Sequence, residues 1–399
     1  MSTSNKGPVK VGLIGWGGSA NVYNLPYLIP NPNLHLYAIH QRKGPKDPGL
    51  GRFGHCTDSA SQQRLKDWGC ATQPKWYQSQ DEFFADPEIE VVVVTTGHGS
   101  HFSLAKASLE AGKHVLVEKP FVTRASDANE LIKLAKEKGL ILTVYQNRRW
   151  DSEFLTLQKL LKQDALGELT DVTIHYDFEM PAWIQGWTQP EYEEGSGAGM
   201  LYGLGTHSLD QALLVLGRPE RVTGFIRSLR VGEGGERVVS EVDDTFMAVL
   251  EYGKERPVVC TVKTTVVNIV EQPLKYFVRG RKGTFTKRGE CVQEKQTNEG
   301  MKSTDEGFGQ DEERDYGDLV TVDKVEGAVQ NWDEGRKKWI GKFPTESGYW
   351  RGLYENLAKA VRGEEEIKVK AEQSRDGLRL IELVRESVRK GSSVLWTDA

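Results

Sequence analysis

The sequence predicts an α/β chain in two parts: a doubly wound parallel sheet over residues 1–145, then an α+β domain over residues 146–399. Three observations carry that expectation. Short continuous apolar runs at 9–14, 34–39, 89–95, 115–117 and 140–144 alternate with helical patterns, as parallel strands covered on both faces do. After Trp150 the strand-like runs follow one another with little helix between them, which suits a large mixed or antiparallel open sheet. A chain of 399 residues that is 38% hydrophobic is long and apolar enough for two or three domains with a sizeable core, which excludes disorder as its dominant state.

Each element follows from local pattern. The run 9–14 is rich in β-branched residues and ends at Gly15; the run 34–39 follows a stretch able to hold a helix; the run 89–95 contains four consecutive valines. A helix over 103–109 stops at Gly112, a strand occupies 115–117, a helix over 125–138 closes at Gly139, and a fifth strand occupies 140–144. In the second part a helix over 152–162 leads to strands at 169–176, 221–226, 244–252, 258–267 and 275–279, with a helix over 206–216 that Gly217 closes. Residues 287–342, dense in Glu, Lys, Gln and Gly, read as long exposed loops with short strands at Val292 and Leu319. The tail returns to amphipathic helices at 349–362 and 374–390, which can pack back on the first domain, and a strand at 394–396.

Charge and cysteines narrow the function classes. Fifty-two Lys and Arg against 57 Asp and Glu give a net charge of -5, which argues against a nucleic-acid partner. Cys56, Cys70, Cys260 and Cys291 are far apart and form no CxxC, so neither a zinc ribbon nor a disulfide scaffold is expected. No set of His, Cys, Asp or Glu has metal-ligand spacing, so no metal is expected. The first ten residues lack a signal-peptide core and no apolar run approaches the ~18 residues of a membrane span, so a cytoplasmic protein without membrane contact is the expectation. Glycine is in surplus, with 42 residues against a usual share of about 7%.

Gly15-Trp16-Gly17-Gly18-Ser19-Ala20 directly follows the first strand and fits the pattern G-x-G-x-x-A of a Rossmann-type dinucleotide turn. The first glycine permits the tight turn and the second lets backbone approach a pyrophosphate; the small residue at Ala20 lets helix and strand pack closely. Gly15, Gly17, Gly18, Ser19 and Ala20 are therefore candidate cofactor residues, the alternative being a tight strand–helix turn without a ligand. The second strand runs into His40-Gln41-Arg42-Lys43, with two cations where an NAD-preferring chain usually carries a carboxylate. Arg42 suits a 2′-phosphate, which predicts NADP over NAD; a solvated loop is the alternative.

The fourth strand ends in Glu118-Lys119-Pro120, at the edge where open α/β sheets bind ligands. Together with Thr95-Thr96-Gly97-His98-Gly99-Ser100-His101 and the stretch 112–120, this resembles the glucose-fructose oxidoreductase / inositol dehydrogenase family (Gfo/Idh/MocA). Gln146-Asn147-Arg148-Arg149-Trp150-Asp151 resembles its branch of NADP-linked scyllo-inositol dehydrogenases. The resemblance implies an NAD(P)-dependent dehydrogenase or reductase acting on CH–OH groups of a sugar or cyclic polyol. It places Lys119 between nicotinamide and substrate and His207, at the family histidine of Gly197-Ala198-Gly199-Met200-Leu201-Tyr202-Gly203-Leu204-Gly205-Thr206-His207-Ser208-Leu209-Asp210, as general acid/base.

It further implies that Thr95, Thr96, Gly97, His101, Glu118 and Asn147 face the cofactor, although His101 equally suits a structural role at a helix start. Asn147 and Arg148 would donate to sugar hydroxyls, while Arg149 suits an ion pair with the second domain. Asp210 lies one turn from His207 and could orient it or touch substrate, or bond across the domain interface instead. Tyr176, Trp183, Trp187 and Tyr192 flank the loop into this motif; Trp187 is the candidate to stack on a sugar ring, with a core or interface role as the alternative. One departure stands out. The family aspartate four residues before the histidine is Gly203 here, which removes an acceptor and a negative charge. The alternative function is thus a catalytically weakened, dinucleotide-binding regulatory protein of the same fold, and a further possibility is a closed redox cycle on bound NAD. By analogy a homodimer or homotetramer is expected.

Overall fold

A computed structural model describes residues 7–179, 197–231, 235–236, 242–289 and 291–398. Six short strands build the first sheet: β1 (Val9–Ile14), β2 (Leu34–His40), β3 (Lys75–Tyr77), β4 (Val91–Val94), β5 (His114–Val117) and β6 (Leu142–Val144). Their order is β3-β2-β1-β4-β5-β6 and every pair is parallel. The four valines of β4 are wholly buried, as a strand covered on both faces requires. Strand order reverses between β1 and β4, and that switch point opens a crevice at the carboxyl ends of the strands.

The crossovers are α1 (Leu25–Leu28), α2 (Ser59–Asp67), α3 (Gln80–Ala85), α4 (His101–Glu110) and α5 (Ala125–Lys138). Residues 19–24, ahead of α1, wind as a wider π-helical turn, a form often found at functional sites. Gly139 ends α5 in the left-handed region (φ +64°), where glycine carries no Cβ penalty.

The second sheet has ten strands: β7 (Leu169–His175), β8 (Arg221–Arg227), β9 (Thr245–Glu251), β10 (Val259–Thr265), β11 (Leu274–Gly280), β12 (Gly283–Arg288), β13 (Gly317–Thr321), β14 (Val329–Asp333), β15 (Lys338–Phe343) and β16 (Val394–Leu395). Their order is β14-β15-β13-β12-β11-β7-β10-β9-β8-β16. Only β7 and β10 pair in parallel, so the sheet is mixed, as the strand runs after Trp150 predict. One face packs on helices α6 (Ser152–Lys162), α7 (Met200–Gly203), α8 (Gly205–Leu216) and, across β8, α11 (Ala371–Lys390), while Phe225, Val259 and Leu395 are exposed.

Residues 287–342 depart from the expectation of long loops. They complete β12, form α9 (Val292–Asn298) where a short strand was expected at Val292, and supply β13, β14 and β15. Leu319 does lie on a strand, β13, and is wholly buried. Helix α10 (Arg351–Val361) does not stay with the second sheet: Trp350, Leu353, Tyr354 and Leu357 join the core of Val9, Val11 and Leu13 from β1. Helix α11 packs against α5 as well as against β8 and α8, and thereby ties the two sheets together.

Candidate active site

The strand ends fix the floor of the site. Hydrogen bonds run one residue past each strand, from the Gly15 amide to the His40 carbonyl (3.1 Å), from the Thr95 amide to Ile14 (2.9 Å) and from the Glu118 amide to Val94 (2.9 Å). Gly15 has φ +105°, and a Cβ there would lie 2.9 Å from the Thr95 carbonyl oxygen, so the turn admits only glycine. A Cβ on Gly17 would meet no protein atom within 4 Å, leaving backbone exposed to the crevice. The small residue Ala20 is wholly buried under the turn.

Above this floor lies a cavity of about 740 Å³, a size suited to a cofactor and a small substrate. From the first domain it is lined by Gly15, Gly17, Gly18 and Ser19, by Thr95, Thr96, Gly97 and His98, and by Glu118 and Lys119; Asn147 and Arg148, just past β6, line it too. Leu204 and His207 enter from α7–α8, and Glu294 and Asn298 from α9. Candidates drawn from both halves of the chain thus converge on one space.

Lys119 donates to the Gly203 carbonyl oxygen at 3.1 Å, so the position that lost its carboxylate meets the ammonium through backbone instead. Burial lowers the Lys119 pKa to about 8; Glu118 and Glu294 act against that fall and Arg148 with it. His207 is buried at the same cavity, its ring stacked on Tyr176 with centroids 6.4 Å apart. Its Nδ1 has no hydrogen-bond partner among the described residues. Burial, with the Lys119 and Arg148 charges beside it, pushes its pKa well below the ordinary histidine value, so the imidazole is neutral at neutral pH. His98 is likewise pushed down, to about 3, by burial and by its neighbours His101 and Lys119.

Glu118 organises the turn rather than the reacting centre. Its Oε1 accepts from Ser19 Oγ (2.6 Å) and Asn24 Nδ2 (2.8 Å), and its Oε2 accepts from the Lys119 amide (2.9 Å). Tyr354 of α10 donates to Asn24 Oδ1 at 2.6 Å and so braces the same turn.

Other candidates sit elsewhere. His101 does not border the cavity; its ring is buried between the Pro120 and Thr96 carbonyls at 2.8 and 3.1 Å. Arg42 is exposed and outside the cavity lining. Asp210 is drawn away from His207: its two oxygens accept from Arg149 Nε (2.8 Å) and Nη2 (2.6 Å) in a buried bidentate pair. Asp210 thereby forms an ion pair that joins residues 147–150, after β6, to α8, since a buried guanidinium demands a counter-charge. Trp183, Trp187 and Tyr192 lie outside the described residues.

Several cavity residues are not singled out from the sequence: Tyr23, Arg52, Tyr145, Glu294 and Asn298. Glu294 is central among them. Its Oε2 accepts from Arg148 Nη2, its Oε1 accepts from the Tyr23 hydroxyl at 3.0 Å, and its side chain is 16% exposed. Burial opposes its charge, but Arg148 and Tyr23 hold its carboxyl below the usual range, so it stays ionised. Arg148 also faces Asp151 at 3.6 Å and lies over the Trp350 ring at 5.0 Å. Behind it Asp151, Glu153 and Cys291 converge within 4.8 Å, a grouping that sequence spacing does not show. Lys275, 3.5 Å from Glu153, and Arg148 already supply positive charge there, and burial raises the Cys291 thiol well above its ordinary value.

Residues 9–146 match the family described as "Oxidoreductase family, NAD-binding Rossmann fold", and residues 158–395 match its C-terminal alpha/beta domain. The chain belongs to the Gfo/Idh/MocA oxidoreductase family. It is 32% identical over 393 residues to an uncharacterized oxidoreductase of Schizosaccharomyces pombe, covering 97% of this chain and 99% of that protein. It is 30% identical to the scyllo-inositol 2-dehydrogenase (NADP(+)) IolW of Bacillus subtilis, over 97% of this chain and 96% of that one. The crystal structure of an oxidoreductase from Bacillus cereus superposes with a TM-score of 0.80 at 27% identity, covering 98% and 99% of the two chains. In this oxidoreductase the glycine turn, the open crevice at the switch point and the uncovered Gly17 backbone fit a nicotinamide dinucleotide.

Proposed function

We propose that the protein is an NADP-dependent dehydrogenase that interconverts a secondary alcohol, or a C1 hydroxyl, and the corresponding carbonyl of a sugar or cyclic polyol. The observation that carries this reading is the meeting of Lys119 and a neutral, buried His207 at one cavity that runs on to the Gly15–Gly18 turn. The bound nicotinamide would supply or take up the hydride. Lys119 donates a hydrogen bond to the reacting oxygen and stabilises its alkoxide character. His207 takes the hydroxyl proton in oxidation and returns it in reduction, a role its neutral state permits. Asn147 and Arg148 donate to neighbouring hydroxyls, and the Glu294 carboxylate accepts from one, its two bonds to Tyr23 and Arg148 leaving lone pairs toward the cavity. The names of the scyllo-inositol dehydrogenase and of a trans-1,2-dihydrobenzene-1,2-diol dehydrogenase of Sus scrofa, 29% identical over 53% of this chain, support a ring-borne diol or polyol.

Gly203 favours a second reading, in which dinucleotide is bound without turnover and the protein acts through a partner. Assay of NADP reduction with scyllo-inositol, other inositols and common sugars separates the two. Turnover that Lys119→Met lowers by about 10²–10³-fold, with NADP binding retained, supports the dehydrogenase; tight NADP binding with no turnover on any of them selects the regulatory protein. No helix among the described residues is long and apolar enough to cross a membrane, and a cytoplasmic site of action remains part of this proposal. The exposed Phe225 and Val259 on the open sheet support a homo-oligomer.

A further inference from the structure

The connection from β2 to α2 occupies residues 41–58, whereas a strand-to-helix connection usually takes ~2–6 residues. Its path is fixed at several points. The Gly54 amide bonds to the Gly51 carbonyl at 3.1 Å, closing a tight turn with Arg52 and Phe53 at its tip, and both glycines have positive φ (+69° and +64°). Gln41, at the end of β2, donates from Nε2 to the Gly54 carbonyl (3.3 Å) and accepts from the Cys56 amide (2.9 Å). From α2, Arg64 and Ser61 both donate to the Phe53 carbonyl, at 2.8 and 3.2 Å. The Phe53 ring reaches within 3.7 Å of where a Cβ on Gly18 would stand. The turn is thereby held between the end of β2 and the phosphate-binding turn.

What this anchored turn presents is Arg52. Its guanidinium lies 4.6 Å over the Phe53 ring, it borders the large cavity beside Gly17 and Gly18, and it forms no ion pair or hydrogen bond with a described residue. Residues 42–52 carry four cations, Arg42, Lys43, Lys46 and Arg52, against the single carboxylate of Asp47, and Lys43 already sits 3.8 Å from that carboxylate. A positive, aromatic-backed guanidinium between the end of the second strand and the glycine turn faces the region where the adenosine ribose of a dinucleotide belongs. Stacking on Phe53 fixes the plane of the fork while its N–H groups stay available, an arrangement suited to a phosphate dianion.

We propose that Arg52, more than Arg42, is the residue that recognises the 2′-phosphate of NADP. This rests on the NADP reading above. Calorimetric titration of wild type, Arg52→Ala, Arg52→Lys and Arg42→Ala with NADP⁺ and with NAD⁺ tests it without any substrate. Arg52→Ala is expected to weaken NADP⁺ binding by about 10–100-fold and to leave NAD⁺ within about 3-fold, with Arg52→Lys between wild type and alanine and Arg42→Ala milder. Arg52 is exposed and its one described contact is the Phe53 ring, so thermal stability is expected to hold. Equal weakening of both nucleotides would make Arg52 a pyrophosphate contact and overturn the assignment, as would a wild-type NADP⁺ preference that survives Arg52→Ala. Wild-type protein that binds NAD⁺ as tightly as NADP⁺ defeats the cofactor reading itself, and the assignment with it.

Discussion

Arg148 and Arg149 are neighbours in the chain and both are buried, yet the networks around them differ in one respect. Arg149 is bound at every nitrogen: Asp210 takes it in a bidentate pair, and Gln373 Oε1 (2.8 Å) and the Lys368 carbonyl (3.4 Å) accept from Nη1. Arg148 is shared: Glu294 and Asp151 hold it, but both it and Glu294 also face the cavity. A buried pair away from the cavity holds elements together, whereas a pair with lone pairs and N–H groups on an open face can also bind. The difference distinguishes a charge that ties two elements together from one that also borders the cavity.

The sharpest way to break the comparison is at Asp210. Asp210→Asn strands a buried guanidinium and is expected to cost about 3–5 kcal/mol of stability, read by urea denaturation. Turnover per folded molecule is expected to stay near wild type, and a large loss there would return Asp210 to the site. Glu294→Gln probes the other network. Arg148 keeps Asp151, so the stability loss is expected to be smaller, while kcat/KM falls by about 10–100-fold, mainly through KM, with a polyol that wild type accepts. Equal losses of stability from both variants would erase the distinction.

How legible these residues are follows from what holds them. The strand ends around Gly15, Thr95 and Lys119 are set by a continuous apolar run meeting a glycine or a polar residue, a signal written locally. The apolar Leu319 marks β13, but β14 and β15 give no such signal, because they lie at and next to the edge of an open sheet; β14 reads Val-Gln-Asn-Trp-Asp and buries only Gln330. Glu294 sits on a seven-residue helix with one buried residue, Gln293, too short for any hydrophobic period. Its meeting with Arg148 is a long-range event. Arg52 had a faint signal, an Arg-Phe pair between Gly51 and Gly54 in a cation-rich stretch, but that pattern alone reads as an ordinary surface turn.

The smallest expected effects are on pH dependence, and their signs are opposed. Lys119 must keep its proton to donate, so kcat/KM is expected to fall as pH rises through about 8. The Glu294 carboxylate favours the charged lysine, so Glu294→Gln moves that limb to lower pH; Gly203→Asp adds a carboxylate beside Lys119 and moves it to higher pH, each by up to about one unit. Because His207 is pushed well below its ordinary value, no acid limb is expected near the usual histidine pKa of ~6.5. A limb that ignores both variants would mean that another group carries the alkaline titration.

Helix α10 has a consequence for how the chain is made. The face of the first sheet that carries Val9, Val11 and Leu13 is closed by Trp350, Leu353, Tyr354 and Leu357. A nascent chain therefore has that face covered only in part, by Leu25, Tyr27, Leu28 and Leu65, until residue 357 has left the ribosome. Chaperone holding during that interval, and aggregation of fragments that stop before α10, are what such a delayed cover entails.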